Sequence, residues 1–164
     1  MNSTDRQPGS AAPIRNSAKA LIVRDGRLLL TRNVGWRGDE YFILPGGGQE
    51  HGETLAAALQ RECLEEIGAT VRVLSLRYIR EYIGKHHAFA ERHSGVHALE
   101  FMFVCELLDE PGTHAQSNPD AGQTGMVWLP PGELKRHQIF PAVLGELIAA
   151  DGTLTGPVYL GDVN

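Results

Sequence analysis

A helix-forming segment fenced by chain breakers restricts the fold of this chain more than any other feature. Pro45 and the triplet Gly46, Gly47 and Gly48 interrupt the chain before it, and Gly68 interrupts it after. Residues 54–67 contain no Gly or Pro and are rich in Ala, Leu, Glu and Gln, which favour helix. Leu55, Leu59 and Cys63 recur at a spacing of four, with Ala58 and Ile67 beside them. The helix therefore has one apolar stripe to bury. Gly68 suits the left-handed residue that closes such a helix.

The flanking segments supply strands for that stripe to pack on. Apolar runs at 18–24 and 27–32 meet around Asp25-Gly26, the pattern of a β-hairpin. Residues 33–40 read as a loop and 41–44 as a short strand. Residues 71–83 and 96–108 read as long strands, joined by the polar loop GKHHAFAERHSG. A Gly-, Pro- and Asn-containing loop at 109–125 leads to a strand at 126–129, and Pro130-Pro131 then breaks the chain. Residues 141–150 read as a final amphipathic helix, with Pro141 at its start and Gly152 past its end. Helices are too few for a doubly wound sheet, which predicts an α/β or α+β sandwich built on a mixed sheet.

The 164 residues suffice for one domain with a single core. The polar stretch 1–16 is expected to be a disordered tail, 17–152 the domain, and 153–164 a C-terminal extension. Cys63 and Cys105 lie in apolar runs without CxxC spacing, so a disulfide scaffold or zinc ribbon is not expected. A reducing cytoplasm is the expected setting. No apolar run approaches the roughly 18 residues of a membrane span. Residues 1–16 also lack the apolar stretch of a secretory signal.

Charge is unevenly placed. The chain has 15 Lys and Arg against 20 Asp and Glu, a net charge of -5, which argues against a nucleic-acid or anionic-membrane partner. Residues 50–66 alone hold Glu50, Glu53, Glu62, Glu65 and Glu66 against Arg61. On the helix, Glu62, Glu65 and Glu66 fall at i, i+3 and i+4 and share a face. The like-charge pair Glu62 and Glu66 costs about 0.2–0.5 kcal/mol. Glu65 and Glu66 also sit at the end of the helix dipole that disfavours anions. Arg61 offsets part of this by reaching Glu65. A solvated acidic face is one reading of such a cluster. A set of hard oxygen ligands for Mg²⁺, Mn²⁺ or Ca²⁺ is the other.

The wider pattern decides between them. From Gly47 to Ala69 the chain reads GGQEHGETLAAALQRECLEEIGA. Five residues separate Gly47 from Glu53, seven more lead to Arg61-Glu62, and Glu65-Glu66 and Gly68 follow in step. This resembles the complete signature of the Nudix hydrolases, G-x5-E-x7-R-E-U-x-E-E-x-G-U, where U is bulky and apolar. The fixed positions all match. Cys63 and Ala69 are smaller than the usual U residues. The likeness extends over about residues 18–150.

The resemblance implies a Nudix-type α/β/α sandwich with a mixed β-sheet between helices. It implies hydrolysis of a pyrophosphate bond in a nucleoside diphosphate linked to another group, with Mg²⁺ or, as a substitute, Mn²⁺. Glu62, Glu65 and Glu66, with the backbone carbonyl of Gly46, would be the metal ligands. Arg61 would orient the carboxylates and Glu53 would hold the loop. Pairing with a second copy of the chain is a further expectation from the resemblance. The physics agrees, because a pyrophosphate repels an attacking water until its charge is neutralised. Candidates for the general base are Glu62, Asp120 in the loop before Trp128, and Glu100 on a strand. Asp120 also reads as a turn residue after Pro119. The Gly46–Gly48 triplet is not a phosphate-binding P-loop, because no Gly-Lys-Ser/Thr follows.

Substrate contacts are expected on the other side of the site. Lys85, His86, His87, Arg92 and His93 form a basic loop suited to phosphates. Arg32 and Trp36 are further substrate-side candidates. Trp36, Tyr41 and Phe42 either stack a base or pack the core. His86, His87, His93 and His97 present no helical His-x3-His face, so zinc is not expected. Pro and Tyr marks of the ADP-ribose and dinucleoside-polyphosphate subgroups are missing, which leaves a nucleoside triphosphate or a nucleotide sugar. A Nudix-fold domain that binds a nucleotide without cleaving it is the alternative.

Overall fold

The computed structural model describes residues 12–164. The expected tail lies mostly outside these residues, and its boundary moves. Arg15 and Asn16 already belong to β1 (Arg15–Leu21), where they pair with Ala98 and Leu99. Asp25 and Gly26 turn with φ of 51° and 68°, both in the left-handed region, and join β2 (Val23–Arg24) to β3 (Arg27–Val34) as the hairpin requires. The preceding run is divided, however. Its first part, β1, leaves the hairpin and pairs in parallel with a later strand, Arg15 opposite Ala98 and Leu21 opposite Val104.

After β4 (Glu40–Ile43) come the helix α1 (Leu55–Ile67) and β5 (Val71–Ile83). The polar loop that follows folds into a single 3₁₀ turn and α2 (Ala90–His93). Beyond it lie β6 (His97–Leu107), β7 (Gln123–Leu129), α3 (Pro131–Leu134), β8 (Ile139–Phe140), α4 (Leu144–Leu147) and β9 (Tyr159–Asp162). One mixed sheet has the order β1-β6-β5-β9, and the other β2-β3-β4-β8 with β7 paired to β3. The protein is an α/β fold with mixed sheets.

Two apolar clusters fill it. Leu59, Cys63 and Ile67 of α1 pack on Ala18, Ala20, Ile22 and Cys105, the stripe read from the sequence. Leu21, Tyr78 and Met102 pack with Leu28, Leu30, Phe42 and Leu44 in the other. Side chains alternate along β1, so Ser17, Lys19 and Leu21 face away from α1. This alternation aims Lys19 at the site.

Two expectations near the C-terminus need correction. The helix expected at 141–150 is only the single turn Leu144–Leu147. Distant groups take the Leu147 carbonyl: Thr155 N at 2.7 Å, Thr155 Oγ1 at 3.2 Å and the Tyr78 hydroxyl at 3.3 Å. Ile148 turns extended and bridges Leu154 instead of continuing the helix. Residues 153–164 are likewise more than an appendage, because β9 pairs in parallel with β5 at the sheet edge.

Candidate active site

The site begins at the turn before α1. The Thr54 hydroxyl accepts from Ala57 N at 3.1 Å and caps the helix. At the other end Gly68, with φ of 58°, closes it. The carbonyls of the last turn would otherwise be orphaned, and the 109–123 loop covers them. Gln116 and Gln123 both donate to the Glu66 carbonyl at 2.7 Å, Gly112 N donates to Ile67 O, and His114 N to Gly68 O. This loop docks Asp120 on the acidic end of α1.

Gly46 passes too close to the β1 backbone for any side chain, and a side chain on Gly47 would push the Glu62 carboxylate aside. A Cβ on Gly46, where φ is 122°, would lie 2.2 Å from Ala18 O. A Cβ on Gly47 would lie 2.6 Å from the Glu62 carboxylate. The backbone is fixed there by β1: Ala20 N donates to Pro45 O, and Ala18 N and Ser17 Oγ donate to Gly47 O.

Arg61 is the hub of the carboxylates. Its guanidinium grips Glu53 through Nη2 at 2.7 Å and Nε at 3.3 Å. Nη1 reaches Glu62 at 2.9 Å and Glu65 at 3.5 Å, and Nη2 also donates to Gly48 O at 3.0 Å. These partners raise the pKa of Arg61, Glu53 first among them. The Glu53 carboxyl is held below its usual value by Arg61 and by the Glu50 N–H, 2.8 Å away.

Glu66 behaves differently. It is buried, 2% exposed, and its carboxylate accepts from Gly46 N at 2.8 Å. Burial pushes its pKa up to about 7, against the opposing pull of Lys19 and Gly46 N–H. Asp120 and Glu62 add to the rise. The Lys19 ammonium donates to the Gly46 carbonyl oxygen.

A cleft of about 340 Å³ opens beside these groups, lined by Ser17, Lys19, the three glycines, Tyr82, His93, Glu100 and Asp120. Asp120 is exposed at its edge. Glu100 is a poor base. Its side chain is 14% exposed and bound to Arg80 Nε at 2.5 Å. Burial pushes its pKa up, but Arg80 and Lys19 more than offset this and the net shift is downward. Arg80 is itself anchored to Val163 O at 2.7 Å.

The substrate-side candidates scatter. Trp36 is about half exposed and packs between two guanidinium groups, Arg37 at 4.5 Å and Arg92 at 4.9 Å from its ring centroid. Trp36 and Arg92, with Tyr41, Phe89 and His93, line a second cleft of about 370 Å³, whose wall includes Ala121. His93 borders both clefts. Phe42 is buried in the core and does not reach either. Arg32 is paired with Glu40 and lines neither cleft, because this acid on the neighbouring strand β4 captures it. His87 is also withdrawn: it stacks on Tyr82 at 5.1 Å, and its Nε2 lies 2.6 Å from Asp162. His86 contacts the same carboxylate at 2.6 Å, His93 the Tyr82 hydroxyl, and His97 Glu81. The sequence reading missed Lys19, Tyr82 and Phe89. Lys19 carried a signal, a lone charge within an apolar strand.

The NUDIX domain family profile matches residues 13–149, and the chain belongs to this family. Among solved structures it resembles a NUDIX hydrolase from Nitrosomonas europaea, at 22% identity and a TM-score of 0.63, over 77% of this chain and 78% of that one. A MutT NUDIX hydrolase from Burkholderia pseudomallei is 27% identical, with a TM-score of 0.57, over 73% and 85%. An ADP-ribose pyrophosphatase from Streptococcus suis shares the fold at 16% identity and a TM-score of 0.53, over 73% and 75%. No curated protein matches the sequence. No helix among the described residues is long and apolar enough to cross a membrane.

Nudix hydrolases act on small nucleotides and generally require a divalent cation. Among the described residues no three His, Cys, Asp or Glu side chains converge tightly enough to hold a metal ion as they stand. Arg61 engages Glu62 and Glu65, and Lys19 engages Gly46. The donor chemistry nevertheless fits a hard cation. Three carboxylates and a carbonyl border a glycine turn whose Gly46 has no room for a side chain, and the buried Glu66 has its charge disfavoured by its surroundings.

Proposed function

We propose that this protein hydrolyses a pyrophosphate bond in a nucleoside diphosphate linked to another group, with Mg²⁺ as the cofactor and Mn²⁺ as a substitute. A nucleoside triphosphate or a nucleotide sugar is the substrate class. The observation that carries this reading is the intact 23-residue signature folded as one unit, with Gly46 and Glu66 joined at 2.8 Å beside an open cleft. Glu62, Glu65, Glu66 and the Gly46 carbonyl would hold the metal. When bound, the metal neutralises phosphate charge and acidifies a water.

The remaining work falls to the chain's own groups. Arg61 positions Glu62 and Glu65 and ties the glycine turn to the helix through Gly48. Glu53 holds that guanidinium in place. The proton leaving the attacking water needs a free carboxylate. Asp120, exposed at the edge of the cleft, suits this better than Glu62, held by Arg61, or Glu100, held by Arg80. At the far end, Trp36, Tyr41, Phe89 and Arg92 offer flat and cationic surfaces for a nucleobase.

A screen of nucleotides with Mg²⁺, counting released phosphate or nucleoside monophosphate, tests the reading. Turnover that vanishes in Glu65→Gln supports it. A silent screen, with Glu65→Gln indistinguishable from the parent, would leave the binding-domain alternative standing.

A further inference from the structure

The carbonyls of the glycine turn are almost all spoken for by structure. Pro45 O and Gly47 O accept from the backbone of β1, and Gly48 O accepts from Arg61. The Gly46 carbonyl takes its hydrogen bond from Lys19. That bond is not needed to fix the turn, because the β1 ladder and the Ser17 hydroxyl already do so. Lys19 is half-buried on a strand face otherwise continued by Leu21, a costly place for an ammonium without anionic neighbours. It has them on both sides. Glu66 and Glu100 both feel its charge, and Arg80 lies beyond Glu100. Cation and anion alternate along this face: Arg80, Glu100, Lys19, then Glu66 with the Gly46 carbonyl.

We infer that Lys19 is a resident counter-ion for the metal-binding groups, one that a divalent cation must displace from the Gly46 carbonyl, so that this single side chain sets metal affinity. The inference rests on the proposed metal site. Without metal, the ammonium neutralises part of the carboxylate charge and satisfies the carbonyl. With metal, it gives up that oxygen and stays in the field of Glu100. Metal binding then works against a local cation at short range, where charge interactions are strongest.

Mn²⁺ titration of the full-length chain by electron paramagnetic resonance tests this. Lys19→Met is expected to bind Mn²⁺ about tenfold more tightly than the parent. Its metal-free melting temperature should fall, and Mn²⁺ should raise it by more than in the parent. Lys19→Arg, which keeps the charge, should stay near parental affinity. Arg24→Gln, which removes a cation paired with Glu110 elsewhere, should change nothing. If Lys19→Met folds poorly, Lys19→Gln carries the same expectation. Unchanged or weaker binding in Lys19→Met and Lys19→Gln, in a parent whose binding Glu65→Gln abolishes, overturns the inference and spares the metal site. A parent that binds no Mn²⁺ overturns both.

Discussion

Glu66 and Asp162 are both carboxylates held against the body of the protein, yet their surroundings treat them in opposite ways. Asp162 on β9 receives His86 and His87 at 2.6 Å each and Ile83 N at 3.1 Å. Burial raises its pKa, but these donors dominate and hold the carboxyl well below the usual range. Glu66 has, among the described residues, one hydrogen-bond donor on its carboxylate, Gly46 N, and its pKa rises. The saturated carboxylate closes the structure at the sheet edge. The unsaturated one sits buried among other acids, Glu62 and Asp120, whose charges with burial disfavour its own more than Lys19 and Gly46 N–H favour it. The difference identifies function better than the number of acidic residues in either place.

Substitutions at the two clusters should therefore separate activity from stability. Glu65→Gln is expected to lower kcat about a hundredfold or more, with a melting temperature at or above that of the parent. Asp162→Asn should leave turnover within about twofold, and cost on the order of 1 kcal/mol of stability by urea unfolding. Equal losses of activity from both would erase the contrast.

The pH dependence should run in opposite directions for the two carboxylates. A pKa near 7 in the folded state, against 4.5 for an ordinary Glu, means folded Glu66 prefers its proton. Its favourable contribution is complete below pH 4.5 and is lost as pH rises towards 7, a fall on the order of 1–3 kcal/mol in metal-free protein. Divalent metal should flatten this limb. The lowered Asp162 and Glu100 carboxyls act on the other side. Their contributions are present above ordinary carboxylate values, near 4, and vanish as pH drops further. Thermal melts from pH 3 to 8, with chelator and with Mg²⁺, measure both limbs. A metal-free limb that rises from pH 4.5 to 7 would contradict the description of Glu66.

The smallest effects are expected in the aromatic cleft. Trp36→Ala and Arg92→Ala should each raise KM about three- to tenfold and leave kcat within about twofold, read from steady-state kinetics with the substrate found by screening. His87→Ala should leave KM unchanged, because that ring serves Asp162.

What the sequence disclosed follows the range of the interactions. The α1 stripe and its closing glycine are local, and they appear where the spacing put them, while Thr54, read as the first helical residue, is the cap. Arg61 reaching Glu65 was also legible from a separation of four. Long-range competition was not. Nothing near residue 147 announces that Thr155 and Tyr78 will take its carbonyl and end α4 after one turn. Nor does the loop at 84–95 reveal that Asp162, seventy-five residues beyond His87, will claim the rings read as phosphate contacts. In the site itself the motif exposed the anions and left out the second cation, because Lys19 enters from a strand outside it.

The glycine turn and acidic helix are bound by contacts that close short loops: 8 residues from Arg61 to Glu53, 13 to Gly48, and 20 from Glu66 to Gly46. The aromatic cleft instead gathers Trp36, Phe89 and Ala121 from three separate stretches of chain. Loop-closure entropy therefore weighs lightly on the glycine turn with its acidic helix and more heavily on the aromatic cleft. Insertions between those stretches can redraw the wall of that cleft while the turn and helix fold as before. If the proposed roles hold, such a division would let one chemistry be kept as the choice of substrate drifts.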